Sequence, residues 1–250
     1  MNNTIQKNNT ELLSIRSDAK TIKGEKNGYI TAVQYHRPNT QGGNGNLCVF
    51  ASDGCMEGCL ETSGRMNMNP AINARQNRTE LFMKDRPTYI RKLIFEIARL
   101  KRKAEKLGLT PAVRLNGTSD IKWESTPVMD GVNKNIMAIF PDIQFYDYTK
   151  YPYAKRPTES LPSNYHLTFS RSESNDAEVL TNLQNGRNVA VVFSTDQLPS
   201  TYTALDGSEW DVINGDASDV RFNDPKGVVV GLKAKGKARK DTSGFVVQIN

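Results

Sequence analysis

The stretch NYHLTFSRSESNDAEVLTNLQNGRNVAVVFS, residues 164–194, holds the pattern that decides the fold. In NYHLTFS the residues Tyr165, Leu167 and Phe169 alternate with His166, Thr168 and Ser170, the period of a strand with one apolar and one polar face. NDAEVLTNLQNG reads as a helix, and NVAVVFS is a short β-branched run that reads as a second strand. A strand, a helix and a strand in close succession form a βα unit, whose two strands are parallel.

Working outward, GYITAVQYH, NLCVFAS, PAVRLNG, DIQFYDY, EWDVING and GVVVGLKAK read as further strands, giving eight in all. EGCLETSGR, a segment within 71–85, the stretch around 87–107 and DGVNKNIMAIF read as further helices. Strands and helices alternate through the middle of the chain, whereas the last third reads as strands joined by long loops. A chain of 250 residues is of barrel size. The expectation is an α/β fold: a single (β/α) barrel-like domain over residues 29–250, TIM-barrel-like or a partial barrel with an incomplete helical jacket, after an N-terminal extension over 1–28.

With 37% hydrophobic and 24% charged residues, the composition is that of a globular chain. No apolar run approaches the ~20 residues of a membrane-spanning helix. MNNTIQKNNTELL lacks the apolar core of a secretory signal, so a cytoplasmic, reducing location is expected. The net charge is +6. Part of it lies on RKLIFEIARLKRKAEKLG, where Leu93, Ile94, Ile97, Leu100 and Leu107 recur at helical spacing, and part on GLKAKGKARK, where Lys233, Lys235, Lys237 and Arg239 alternate. Both could meet nucleic-acid phosphates; no recognised nucleic-acid motif accompanies them, and a solvated helix face and a charged edge strand are the favoured explanation.

All three cysteines fall in LCVFASDGCMEGCLE, as C-x6-C-x3-C: Cys48, Cys55 and Cys59. An odd count in a reducing compartment argues against a disulfide framework. If Cys48 ends a strand and Asp53 caps a helix, Cys55 and Cys59 are i,i+4 neighbours and the three thiols converge. Gly54 and Gly58 would then let backbone approach a ligand. Three thiolates suit a [4Fe-4S] cluster with one iron left open for a small-molecule ligand. Zinc is the rival, although neither spacing is the usual knuckle pair, and three buried apolar thiols are the plainest alternative. The clustering of every cysteine favours iron–sulfur.

The run ASDGCMEGCLETSGR, with Leu60 and Arg65 after the third cysteine, resembles the phage family known as gene product eighty-eight and related iron–sulfur proteins of aquatic viruses. The likeness extends to VRLNGTSDIKWE, FYDYTKYP, LTFSRSESN and VVFSTD. It implies a barrel, a viral origin and hence the host cytoplasm, and names no substrate. More distantly the arrangement is similar to radical S-adenosylmethionine enzymes, which also hold a cluster by three cysteines at the mouth of a partial barrel. Their C-x3-C-x2-C spacing differs from this one.

In a barrel, ligand-facing residues sit where strands end. Asp120 and Trp123 follow PAVRL, Asp147 and Lys150 follow DIQFY, and Arg171 follows HLTF; these five are the candidate catalytic residues, with Asn116, Ser119, Tyr148, Ser170, Ser172 and Ser194 beside them. Each could equally be a turn or surface residue. His166 should point into a polar interior, and His36 is a fourth metal ligand only if the fold brings it to Cys48. No nucleophile elbow or histidine metal pair is present. Three functions follow: a Lewis-acid enzyme, a hydrolase or lyase acting on small thiols or polar ligands at the open iron; a radical S-adenosylmethionine-like redox enzyme; or a non-catalytic cluster protein that is structural, redox-sensing or a nucleic-acid accessory.

Overall fold

The computed structural model describes residues 10–16, 19–195 and 197–249. In chain order the elements are β1 (Leu13–Ile15), α1 (Ala19–Glu25), β2 (Tyr29–Gln34), α2 (Asp53–Glu57), α3 (Asn69–Lys84), α4 (Arg86–Leu107), β3 (Thr110–Arg114), α5 (Ile136–Ile139), β4 (Gln144–Thr149), β5 (Tyr165–Ser170), α6 (Asp176–Gln184), β6 (Val189–Phe193), β7 (Thr201–Thr203), β8 (Glu209–Asn214), β9 (Val229–Lys233) and β10 (Val246–Val247). The strands form one ten-stranded sheet in the order β1-β2-β3-β4-β5-β6-β9-β8-β7, with β10 added beside β6. Only β1 on β2 and β7 on β8 pair antiparallel; the rest are parallel.

The alternation in residues 164–194 explains the layering. Leu167 on β5 joins Ile30, Ala32, Val113 and Phe145 under Leu93, Ile97 and Leu100 of α4, and Phe169, Val189 and Val191 meet Val179 and Leu183 of α6. Each such fully buried aliphatic contributes about 1.5–3 kcal/mol. The helix α4 starts at Asp85, which accepts from Thr88 N at 3.1 Å, and stops at Gly108, whose φ of 63° is left-handed. The N-terminal segment is part of the sheet, since β1 pairs with β2 residue for residue from Leu13 to Ile15.

The α/β class stands, but the sheet is open: among the described residues no pairing joins β1 to β7. A closed TIM-like barrel is therefore corrected. The β7–β8 hairpin ends the sheet, and the β8–β9 connection instead crosses the polar face. Its Phe222 ring lies 5.1 Å from Tyr29 of β2 and 5.4 Å from Tyr146 of β4, and Tyr146 Oη donates to Asp219 at 2.9 Å. Side chains, not strand pairing, span that face.

Three local expectations also change. NLCVFAS is no strand: Asn46 Oδ1 accepts from Cys48 N at 2.8 Å and Ala51 N donates to Cys48 O at 3.0 Å, so the chain turns there. EGCLETSGR breaks at Gly58, placing Cys59 in extended backbone (φ −53°, ψ 138°) ahead of two 3-10 turns. The alternation of GLKAKGKARK ends where β9 gives way to a 3-10 turn at Gly236–Lys240. No helix among the described residues is long and apolar enough to cross a membrane.

Candidate functional site

The polar face of the sheet opens, at the carboxyl ends of the parallel strands, into a cavity of about 680 Å³. Arg114 ends β3, Ser170 ends β5 and Lys233 ends β9, and all three line it. Cys48, Cys55 and Cys59 line it together. That location is where open α/β sheets bind ligands, and its volume lies within the range of small-molecule sites.

Bracing contacts hold the backbone around each thiol. The loop of Cys48 is held by Leu47, whose N donates to Asn39 O at 3.0 Å and whose O accepts from Asp120 N at 2.7 Å; Cys48 Sγ itself donates to Thr118 O at 3.7 Å. Cys55 sits in α2, whose cap Ser52 accepts from Cys55 N at 3.3 Å and donates to Glu173 at 2.8 Å, while Gly54 N donates to the other Glu173 oxygen at 2.9 Å. Cys59 precedes Glu61, a buried carboxylate gripped by Arg37 at 3.2 Å and by Arg75 of α3 at 3.3 Å. Gly54 and Gly58 serve packing. A Cβ on Gly54 would overlap Ser243 and sit 2.8 Å from Phe245, and one on Gly58 would sit 3.2 Å from Phe245.

Burial raises the Cys48 thiol to about 12, with Asp120 and the other two thiols adding to the effect. Burial likewise raises Cys59 to about 11. The Cys48 and Cys59 sulfurs are therefore neutral thiols near pH 7 until a cation draws off their protons. Among the described residues no three Cys, His, Asp or Glu gather closely enough for one metal ion. A cubane cluster takes its thiolates at separate corners and needs them facing one space rather than one point, and thiols are the donors it takes. The three cysteines fit that group.

The five expected catalytic residues divide. Asp120 and Lys150 line the cavity. Both Asp120 oxygens are engaged, one by Arg156 at 3.1 Å and the other by Lys150 N at 2.7 Å and Thr149 Oγ1 at 3.3 Å; burial raises its carboxyl above the usual range although Arg156 opposes it. The Lys150 ammonium donates to Ser170 Oγ at 2.7 Å, Ser170 O at 3.2 Å and Arg171 O at 3.3 Å. Asp147, Trp123 and Arg171 lie elsewhere. Asp147 is on the helix-covered face, where it accepts from Asn116 N at 2.7 Å and Tyr165 Oη at 2.9 Å, and burial raises it to about 7. Trp123 is wholly buried in the core, 5.5 Å from the Phe82 ring, with its Nε1 donating to Asn116 Oδ1 at 3.2 Å. Arg171 Nε pairs with Asp176 at 3.0 Å and its Nη1 donates to Gly244 O and Phe245 O. Of the secondary candidates, Asn116, Ser119, Tyr148 and Ser170 line the cavity. Buried Ser172 donates its N to Asn175 Oδ1, and Ser194 Oγ accepts from Ile249 N.

His36 is no ligand. It is fully buried, 3.1 Å from Tyr89 Oη, stacked on that ring at 5.8 Å, and lowered by burial to about 3. His166 shares the polar face as expected, and its Nε2 has no hydrogen-bond partner among the described residues. Burial, with Arg187, Arg221 and Lys226 nearby, lowers it to about 4.

Sequence reasoning missed the braces Glu61 and Glu173, and the floor of the cavity, where Arg114 lies over the Tyr148 ring at 4.7 Å and reaches Asp219 at 3.5 Å. Burial raises the Tyr148 phenol to about 12. Glu61 carried a readable signal, falling two residues after the third cysteine. Glu173 and Asp219 carried none, because their partners lie far off in the chain, Gly54 for the one and Tyr146 and Arg114 for the other.

The family model described as Gene product 88 matches residues 9–249, and the chain belongs to that family. No curated protein and no solved structure matches it.

Proposed function

We propose that this member of the gene product 88 family is a viral iron–sulfur protein, in which Cys48, Cys55 and Cys59 hold one [4Fe-4S] cluster at the mouth of a partial barrel. The observation that carries the reading is that the only three cysteines of the chain, brought together from a loop, a helix and the segment after it, line one cavity. A cluster so held leaves one iron without a protein thiolate, and that iron supplies Lewis acidity to a small thiol or other polar ligand.

The residues of the chain shape what reaches it. Lys150 places a positive charge on the cavity wall and favours an anionic group. Tyr148 keeps its proton at neutral pH and can donate a hydrogen bond to a bound ligand. Asp120, with both oxygens already engaged, orders Lys150 and Arg156 rather than moving a proton. The protein works in the host cytoplasm, where thiols stay reduced.

The test is anaerobic purification. Roughly four irons and four sulfides per chain are expected from the cluster type, and each of Cys48→Ala, Cys55→Ala and Cys59→Ala should lose most of both. Stoichiometric zinc without sulfide would refute the proposal. A saturable change in the visible spectrum with small thiols supports the open iron. A response to S-adenosylmethionine alone turns the reading to the redox class, and silence to both turns it to a structural or sensing role.

A further inference from the structure

Beyond Ala190, β5 and β6 part. Their pairing consists of Phe169 with Val189 and Ser170 with Ala190, followed by one more bond from Arg171 N to Ala190 O at 2.9 Å. On its other edge β6 pairs with β9 along its whole length, Val189 to Phe193. The edge of β6 that β5 abandons is taken by β10: Val246 stands opposite Val192 and Val247 opposite Phe193, and Ser194 N donates to Val247 O at 3.0 Å. The segment before β10 is therefore wedged into the fork between two core strands.

Four groups hold the wedge. Arg171, the first residue past β5, donates Nη1 to Gly244 O and Phe245 O. Lys150 Nζ lies 5.5 Å from the centre of the Phe245 ring. Asp241 closes the turn, accepting from Gly244 N at 3.2 Å and Val246 N at 2.9 Å. Ser243 Oγ accepts from Phe245 N at 3.2 Å.

On its other side the wedge meets the cysteines. Cys55 packs against the cluster of Ala238, Phe245 and Val246. The missing side chains of Gly54 and Gly58 are what allow Phe245 to lie against α2 and the start of the Cys59 segment. Glu173, two residues beyond Arg171, grips Ser52 and Gly54 from the fork itself. Two of the three thiols thus take their places from a segment made nearly two hundred residues later in the chain.

We infer that residues 241–247, with Arg171, Glu173 and Phe245 as positioning residues, set the positions of Cys55 and Cys59 against the cavity, whereas Cys48 is placed independently by the Asn39–Leu47–Asp120 bonds. The inference rests on the proposed function only for what the positioned thiols hold. Removing the wedge frees one side of the donor set and leaves the other in place.

Alkylation separates the two. Metal-free wild-type protein, Phe245→Ala, Phe245→Leu and a chain stopped at Lys240 are treated with iodoacetamide, and each cysteine is followed by mass spectrometry, with circular dichroism as the check on folding. In Phe245→Ala and the shortened chain, Cys55 and Cys59 should react on the order of tenfold faster through local opening, with Cys48 within about twofold of wild type. Phe245→Leu should restore wild-type rates. Unchanged rates at Cys55 and Cys59 would overturn the inference, and so would an equal rise at all three thiols. If the shortened chain fails to fold, the two Phe245 variants decide. Iron and sulfide are measured in parallel: a wild-type protein holding neither sinks the cluster proposal and leaves the alkylation result standing.

Discussion

At the scale of single residues, burial governs the chemistry of the thiols. Cys48 and Cys59 are raised to about 12 and 11, so in the metal-free protein they should resist alkylation at pH 8 and react only as the pH approaches those values. Following the two rates between pH 7 and 11 checks this; rapid reaction of the wild type at neutral pH would show that burial does not hold the two thiols protonated. Asp147 makes a second case. Its carboxyl is raised from 3.8 to about 7, so the folded state binds a proton more tightly than the unfolded chain. That contribution to stability is complete below about pH 4 and is lost as pH rises through about 7. Thermal midpoints measured from pH 4 to 8 should show the decline in the wild type and a flatter profile in Asp147→Asn.

At the scale of elements, the strands were more legible than the connections. Strands β2 to β6, β8 and β9 follow runs visible as alternation or as short β-branched stretches, because a strand writes its face into neighbouring residues. The missed strands β1, β7 and β10 are two or three residues long, and partners elsewhere in the chain create them. The candidate site divides in the same way. The cysteines were legible because they cluster in sequence, whereas Asp147 was misplaced because β4 runs on to Thr149 and its alternation turns Asp147 to the helix-covered face, and Trp123 because its turn folds back into the core. The loops between strands depend on buried ion pairs of the same long-range kind. Arg156 is almost wholly buried and binds Glu124 through two bonds of 2.7 Å while also reaching Asp120 at 3.1 Å. Its replacement by Met leaves the buried Asp120 and the half-buried Glu124 without their cation, and a loss of about 3–5 kcal/mol is expected. Urea denaturation measures it, and a cost near zero would mean that water reaches both carboxylates.

At the scale of the whole molecule, one sheet carries two environments. Its helix-covered face holds the apolar core, and its other face is polar and crossed by a loop. An occupied thiol site would tie α2, the Cys48 loop and the 3-10 turn after Gly58 together, and a site that exists only in the folded chain adds its binding free energy to folding. Chelation or oxidation of cluster-loaded protein should therefore lower the thermal midpoint by several degrees, roughly 2–4 °C for each kcal/mol at this chain length. An unchanged midpoint after complete iron loss would show that the three braces alone fix the loops.

The wedge of β10 between β5 and β6 also orders events in time. During translation the cysteines leave the ribosome long before residues 241–247 are made, and until those arrive α2 lacks the surface it packs against. A nascent chain can present Cys48 in its loop, but the cavity has no finished wall on the Cys55 side. Iron offered to the growing polypeptide would meet an incomplete set of donors, so on the proposed function loading would fall to the released, folded protein. Growth in iron-poor medium should then yield a full-length, soluble, metal-free pool that iron and sulfide can fill afterwards without unfolding.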